Sequence, residues 1–337
     1  MSGPDPIDRQ VVVDVPVRVC DVGGWTDTWF AGRGLVCSLA VGPAVTVTAS
    51  TAPGRGLVTV AVPDLGGSFT VDEAPPEHRL LVEAVAEAGG APAGCDVQIT
   101  ITSAVPPATS LGTSAAVCVG VIAALDALAG HVRPPGDLAS AAHRVESVRV
   151  GRQCGVQDQV AAAHGGANLI EVDYPATHVR PIALAPAVRE ALDEQLLHVA
   201  YGGRHDSSAV HEQVIAELES EGAGAARLEQ LRRLARDAHA ALVAGDLDAY
   251  GAVLTSATDA QRGLHPDLVS ADAHALIDLA RSVGAAGWKV NGAAGSAGSI
   301  SVLCRSAADR DRLDVAVGAA GWASLPLRTT HRGAAVR

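Results

Sequence analysis

Four short segments of this chain of 337 residues set small residues beside a carboxylate, a hydroxyl or a cation at spacings that suit phosphate or polyol chemistry. The first is Pro106-Pro107-Ala108-Thr109-Ser110-Leu111-Gly112-Thr113-Ser114-Ala115-Ala116, between an alternating stretch and an apolar one. A loop of small residues opening a helix presents unpaired backbone N–H groups, and the helix dipole adds partial positive charge, so anions bind there. Ser114 then lies in the first helical turn with its hydroxyl open to a phosphate-bound metal. A plain strand-to-helix turn capped by Thr113 or Ser114 accounts for the same residues. The loop is not a Walker A loop, since the chain's single lysine, Lys289, sits between Trp288 and Val290. Nor does a G-x-G-x-x-G follow the first strand, which sets aside a Rossmann dinucleotide site.

The second segment, Trp288-Lys289-Val290-Asn291-Gly292-Ala293-Ala294-Gly295-Ser296-Ala297-Gly298-Ser299, is also glycine- and alanine-rich. It could close on the same ligand from the opposite side, or be a tight turn. The third is Gly155-Val156-Gln157-Asp158-Gln159-Val160, where a carboxylate between two glutamines suits a proton acceptor; Asp158 as a helix N-cap is the alternative. Glu146, on the preceding helix, is a metal ligand or one more solvated carboxylate. The fourth runs from Pro16-Val17-Arg18-Val19 to Gly23-Gly24-Trp25-Thr26-Asp27-Thr28. Asp27 suits hydroxyl hydrogen bonds and Trp25 the apolar face of a sugar, while a β-turn with an Asx bond is the alternative. A further stretch, Tyr201-Gly202-Gly203-Arg204-His205-Asp206, offers Arg204 to a sugar hydroxyl or phosphate, or else is a capped helix start.

The elements needed to position these segments are legible. Val11–Val13, Val45–Thr48 and Leu57–Val62 are β-branched runs, and Val97–Thr102 alternates strictly, as a half-buried strand does. Ser114–Leu128 is apolar nearly all round and predicts a buried helix. A helix over Ala139–Val148 and a strand over Ala167–Val172 follow. Leu196–Ala200 and Ser299–Leu303 are strands, with helices near 208–219, 225–243, 246–260, 271–283 and Ala307–Gly318. The expected division is 1–185 and 186–337, joined across an aperiodic, proline-bearing region near 175–195.

Composition limits the partners. The formal charge of −12 disfavours nucleic acid and anionic membrane surfaces, which attract excess positive charge. The six cysteines have no metal-ligand spacing and read as buried free thiols in a reducing cytoplasm. No apolar run is long enough to span a bilayer. Aromatic residues make up only 3% of the chain, so aliphatic side chains must build the core.

Taken in this order, the four segments resemble the GHMP kinase superfamily. The stretches Gly23–Thr28 and Leu111–Ser114 are most similar to L-fucokinase and D-glycero-D-manno-heptose 7-phosphate kinase. The resemblance implies an α+β, two-domain GHMP kinase fold, with an N-terminal domain like ribosomal protein S5 domain 2 and a C-terminal ferredoxin-like α/β domain. It implies transfer of the γ-phosphate of ATP, with Mg2+, to a hydroxyl, in particular the anomeric one, of a sugar or sugar phosphate. Pro107, Thr109, Ser110, Leu111, Gly112, Thr113, Ser114 and Ala115 would hold ATP, and Ser114 and Glu146 the magnesium. Asp158 matches the catalytic base and Arg18 the arginine beside the reacting hydroxyl. Gly24, Trp25, Thr26, Asp27, Gln157, Gly292, Ala293 and Arg204 would face the substrate, in a cytoplasmic monomer or homodimer. A non-catalytic sugar and nucleotide sensor, a kinase for a cyclitol and a diphosphate decarboxylase are the alternatives. Departures from the family pattern stand at Ala108, Thr109 and Ser110, where Gly-Ser-Gly is usual, and at Ala294, Ser296 and Ala297. An added Cβ resists positive φ and crowds an approaching phosphate, which predicts weaker ATP binding or an altered loop path.

Overall fold

The computed structural model describes residues 9–202, 208–293 and 295–337. The chain opens with two long antiparallel strands, β1 (Gln10–Val22) and β2 (Arg33–Pro53), followed by the short strands β3 (Val58–Val62) and β4 (Gly67–Thr70). Valines 11, 13, 15, 17 and 19 of β1 all point into the core, the period-2 pattern of one buried face. After α1 (Arg79–Glu87) comes β5 (Cys95–Ser103), which pairs antiparallel with the second half of β2 and parallel with β3.

Helix α2 (Thr113–Leu128) is buried on every side from Cys118 to Asp126, as its unbroken apolar run requires. It lies on β1 and β2 so closely that a Cβ at Gly120 would stand 2.7 Å from Val47 Cγ2. Helix α3 (Pro135–Arg144) gives way to a widened π turn over Val145–Arg149, where the sequence suggests one continuous helix. The wider turn rotates Glu146 inward, and such turns recur at functional sites. Then follow α4 (Gln157–His164), β6 (Ala167–Asp173) and β7 (Ala176–Pro181), with β6 pairing the first half of β2. The joining region is thus not structureless: β7 and α5 (Pro186–Gln195) occupy it. Of its three prolines, Pro175 stands in the turn before β7, Pro181 ends β7 and Pro186 opens α5, positions that tolerate them.

The second half brings β8 (Leu196–Tyr201), then α6 (Ser208–Glu221), α7 (Ala226–Ala244), α8 (Leu247–Leu264) and α9 (Ala271–Ser282). Strands β9 (Gly287–Val290) and β10 (Gly298–Leu303), helix α10 (Ala307–Ala319) and β11 (Ala323–Leu325) follow. Among the described residues the second sheet has the antiparallel order β11-β8-β10-β9. Its own aliphatic core packs Leu197, Val199 and Ile300 against Leu276, Ile277 and Leu313 of α9 and α10. The last strands, β12 (Arg328–Thr329) and β13 (Ala335–Val336), return to the first sheet, where β12 pairs β2 and β13 pairs β1. No helix among the described residues is long and apolar enough to cross a membrane.

Candidate active site

The site forms where β1 ends. The ladder between β1 and β2 is irregular between Val19 and Val22, and Cys20 takes φ 54°. Asp21 lies within this break and Arg18 in the regular ladder just before it, and both are almost fully buried. Arg18 Nε donates to Asp158 Oδ1 at 2.9 Å, and its Nη1 donates to the Ser110 carbonyl. Its backbone N–H donates to the Leu111 carbonyl at 3.1 Å. One residue therefore ties the loop before α2 to the start of α4. Burial opposes the Arg18 charge, but Asp158 and then Asp21 more than offset it and hold the guanidinium above its ordinary value.

The loop over residues 106–112 bends through two residues of positive φ that are not glycine. Ala108 and Ser110 adopt φ 63° and 55°, the left-handed region that glycine occupies freely. The strain, roughly 1–2 kcal/mol per residue, is held by the loop's neighbours. Those are Arg18 on the Ser110 carbonyl and Ser299 Oγ, which donates to the Thr109 carbonyl at 2.7 Å. Leu111 and Ala115 are wholly buried and anchor the loop and helix from below. Gly112 starts α2 at φ 78°, and no side chain caps the helix, so capping by Thr113 or Ser114 is ruled out. Ser114 Oγ instead donates to Glu146 Oε1 at 2.8 Å, and Gln159 Nε2 donates to Glu146 Oε2. Burial raises the Glu146 pKa, with the Ser114 hydrogen bond opposing.

Asp158 is not a cap either. The N-terminus of α4 is held from across the chain by Asp27, whose Oδ2 accepts the Gln157 N–H at 3.0 Å and whose carbonyl accepts the Val156 N–H at 3.2 Å. Asp27 is 1% exposed. Burial pushes its carboxyl up to about 6, the Gln157 N–H pulls it down, and the nearby Asp158 charge pushes it up again. Gly155 must lack a Cβ, which would lie 2.0 Å from Asp27 Oδ2. Released from capping, Asp158 is partly open, and its Cγ sits 3.0 Å from where a Cβ on Gly112 would be. The expected base thus abuts the expected phosphate loop.

A cavity of about 140 Å³ gathers Arg18, Gly24, Trp25, Asp27, Gln157, Asp158, Gly292 and Ala293. Trp25 lies 4.9 Å from the His211 ring of α6 and packs with Leu228 and Leu231 of α7, giving the cavity an apolar wall. Gln157 is nearly buried, yet its Oε1 has no partner, which leaves an acceptor for a ligand hydroxyl. Two expected substrate contacts differ. Thr26 is fully buried and does not line the cavity; its hydroxyl accepts from Leu35 N–H at 3.0 Å and donates to the Gly23 carbonyl, fixing the turn. Arg204 lies outside the described residues.

Two residues at the site, Asp21 and Gln261, escaped the sequence reading. They meet the sole lysine, Lys289, beneath Gly292. Asp21 stands three residues after Arg18 and directly before the glycine pair, a spacing that marks it in hindsight. Gln261, inside amphipathic α8, carries no local signal. The cysteines are free, and all but the half-buried Cys154 are buried, as expected.

Residues 79–166 match the family described as GHMP kinases N terminal domain. The chain carries the GHMP kinase fold. It superposes on a D-glycero-D-manno-heptose 1-phosphate kinase from Bacteroides thetaiotaomicron with a TM-score of 0.73, at 18% identity over 97% of this chain and 98% of that one. It is 33% identical over 117 residues to an L-arabinokinase of Arabidopsis thaliana, covering 34% of this chain and 11% of that protein. A bifunctional fucokinase/GDP-fucose pyrophosphorylase of the same plant is 24% identical over 91% of this chain and 31% of that protein. The chain thus spans about a third or less of the length of these two relatives.

Proposed function

We propose that this GHMP kinase fold transfers the γ-phosphate of ATP to a hydroxyl of a sugar. The observation that carries the reading is the approach of Asp158 to both Arg18 and the Gly112 end of α2, which sets a carboxylate between a cavity lined by Trp25, Asp27 and Gln157 and the open N-terminus of a helix. The sugar-acting relatives named above support the acceptor class.

In the proposed step the acceptor oxygen attacks the γ-phosphorus, a new O–P bond forms, the bond to the β-phosphate oxygen breaks, and ADP leaves. Asp158 takes the hydroxyl proton, a contribution of about 10²–10⁴-fold in general. Arg18 steadies Asp158 and the charge growing between the two reactants. The unpaired N–H groups of the first turn of α2 receive phosphate oxygens. Asp27, Gln157 and Trp25 orient the sugar. The donors present fit magnesium: Ser114 and Glu146 offer a hydroxyl and one buried carboxylate, a set suited to a cation held mainly by nucleotide phosphates. Bound there, the ion would neutralise phosphate charge.

ADP release with ATP and magnesium, measured against free and phosphorylated sugars and cyclitols, tests the reading. One acceptor should stimulate release, and Asp158→Asn, which keeps the Arg18 contact, should lower kcat by about 10²-fold or more. Near-wild-type turnover in that variant would remove Asp158 as base. Acceptor binding without turnover in the wild type would favour a sensor.

A further inference from the structure

The cavity floor is a line of alternating charges, Lys289, Asp21, Arg18, Asp158, drawn from both halves of the chain. Asp21 Oδ1 lies 3.8 Å from Lys289 Nζ and 3.8 Å from Arg18 Nη1, and all three side chains are 5% exposed or less. Both Asp21 oxygens accept the Gly292 N–H at 3.1 Å. The Gly292 carbonyl accepts from Gln261 Nε2 at 2.9 Å, and Gln261 Oε1 accepts from Lys289 Nζ at 2.7 Å. Lys289 also donates to the Val290 carbonyl. Two of its three protons are therefore hydrogen-bonded, to Gln261 and Val290, and Asp21 faces the ammonium at ion-pair distance. The lysine acts as a buried counter-ion, and burial lowers its pKa against the pull of Asp21.

We infer that Asp21 is a positioning residue for the proposed transfer: its charge, balanced by Lys289, aims Arg18 at Asp158 while its oxygens lock Gly292 of the loop between β9 and β10 over the site. The inference rests on the kinase reading of Asp158. Without the Asp21 charge, two buried cations face each other with one carboxylate fewer between them. Arg18 then moves away from Lys289, and the base moves with it. Misplacement of a catalytic group by about 1 Å costs on the order of 10²-fold.

Three variants test it in the ADP-release assay. Asp21→Asn retains a side-chain oxygen for the Gly292 N–H and should lower kcat by about 10²-fold with the KM for ATP changed less than about threefold. Lys289→Met removes the opposing charge at similar length. The double variant Asp21→Asn/Lys289→Met removes both charges and should regain at least about tenfold of the lost kcat, as neutralising both members of a buried pair costs less than orphaning one. Should Asp21→Asn fold poorly, thermal unfolding of the same set reads the pair, with the double variant melting above the single one. A double variant no better than Asp21→Asn in kcat and melting, or an Asp21→Asn enzyme with normal kcat, overturns the inference alone. A wild type inactive on every acceptor overturns the kinase reading and this inference with it.

Discussion

Replacing Asp27 by asparagine should make the folded protein more stable at neutral pH and leave it no better off in acid. The carboxyl titrates near 6 in the folded state against an ordinary value of 3.8. Between these values the native state holds a proton that the unfolded state has released, so native stability falls as pH rises through the window. The shift of about 2 units, at 1.36 kcal/mol per unit, amounts to roughly 3 kcal/mol, fully present above about pH 7. Asparagine keeps an oxygen for the Gln157 N–H but carries no charge to desolvate. Its amide nitrogen adds an unpartnered donor, whose cost does not vary with pH. The measurement is denaturant unfolding of both proteins from pH 4 to 8. The stability difference, variant minus wild type, should climb by about 3 kcal/mol from pH 4 to pH 7 and then level off. A difference that stays flat across that range would refute the claim that Asp27 is held ionised at its own expense. The proposed sugar site would then need another explanation for its buried carboxylate, since strain kept at neutral pH is the mark of a group retained for binding.

Two other substitutions probe the loops. Gly292→Ala should cut turnover by about 10²-fold or more while leaving the protein folded, because at φ 59° its Cβ would stand 2.6 Å from the Ser110 carbonyl oxygen and 2.9 Å from Arg18 Nη2; kinetics beside thermal melting separate the two effects. Glu146→Gln should keep the Ser114 contact and relieve a buried charge, so melting at pH 7 should hold or rise. The magnesium concentration giving half-maximal nucleotide binding by calorimetry should meanwhile rise about tenfold, the loss of one charged ligand worth roughly 1.4 kcal/mol.

The strands and helices that carry the site were readable because they are strongly periodic: β1, β5 and α2 declare themselves by alternation or unbroken apolarity. The family resemblance put Arg18 and Asp158 at one reacting hydroxyl, but their direct pairing, between residues 140 apart, was not legible. What stayed hidden depends on the approach of distant segments. Asp27 looks like a turn residue, yet it caps a helix 130 residues on. Glu146 looks like a solvated helix carboxylate until the π turn rotates it inward. Ala108 and Ser110 look unsuited to a phosphate loop, but ties from Arg18 and Ser299 hold them at positive φ.

The Asp21–Gly292 contact joins residues 271 apart, and β13 closes on β1 later still. At about 5–20 residues per second on the ribosome, the loop before β10 emerges on the order of ten seconds after Asp158. During that interval the nascent chain holds Arg18, Asp21 and Asp158 but lacks Gly292 and Lys289, the partners of Asp21. The cavity is therefore assembled only after the segment carrying β9 and the loop before β10 has emerged. A chain that stalls between α4 and β9 is unable to bury Asp21 beside Lys289, and incompletely folded chains of that kind are exposed to proteases.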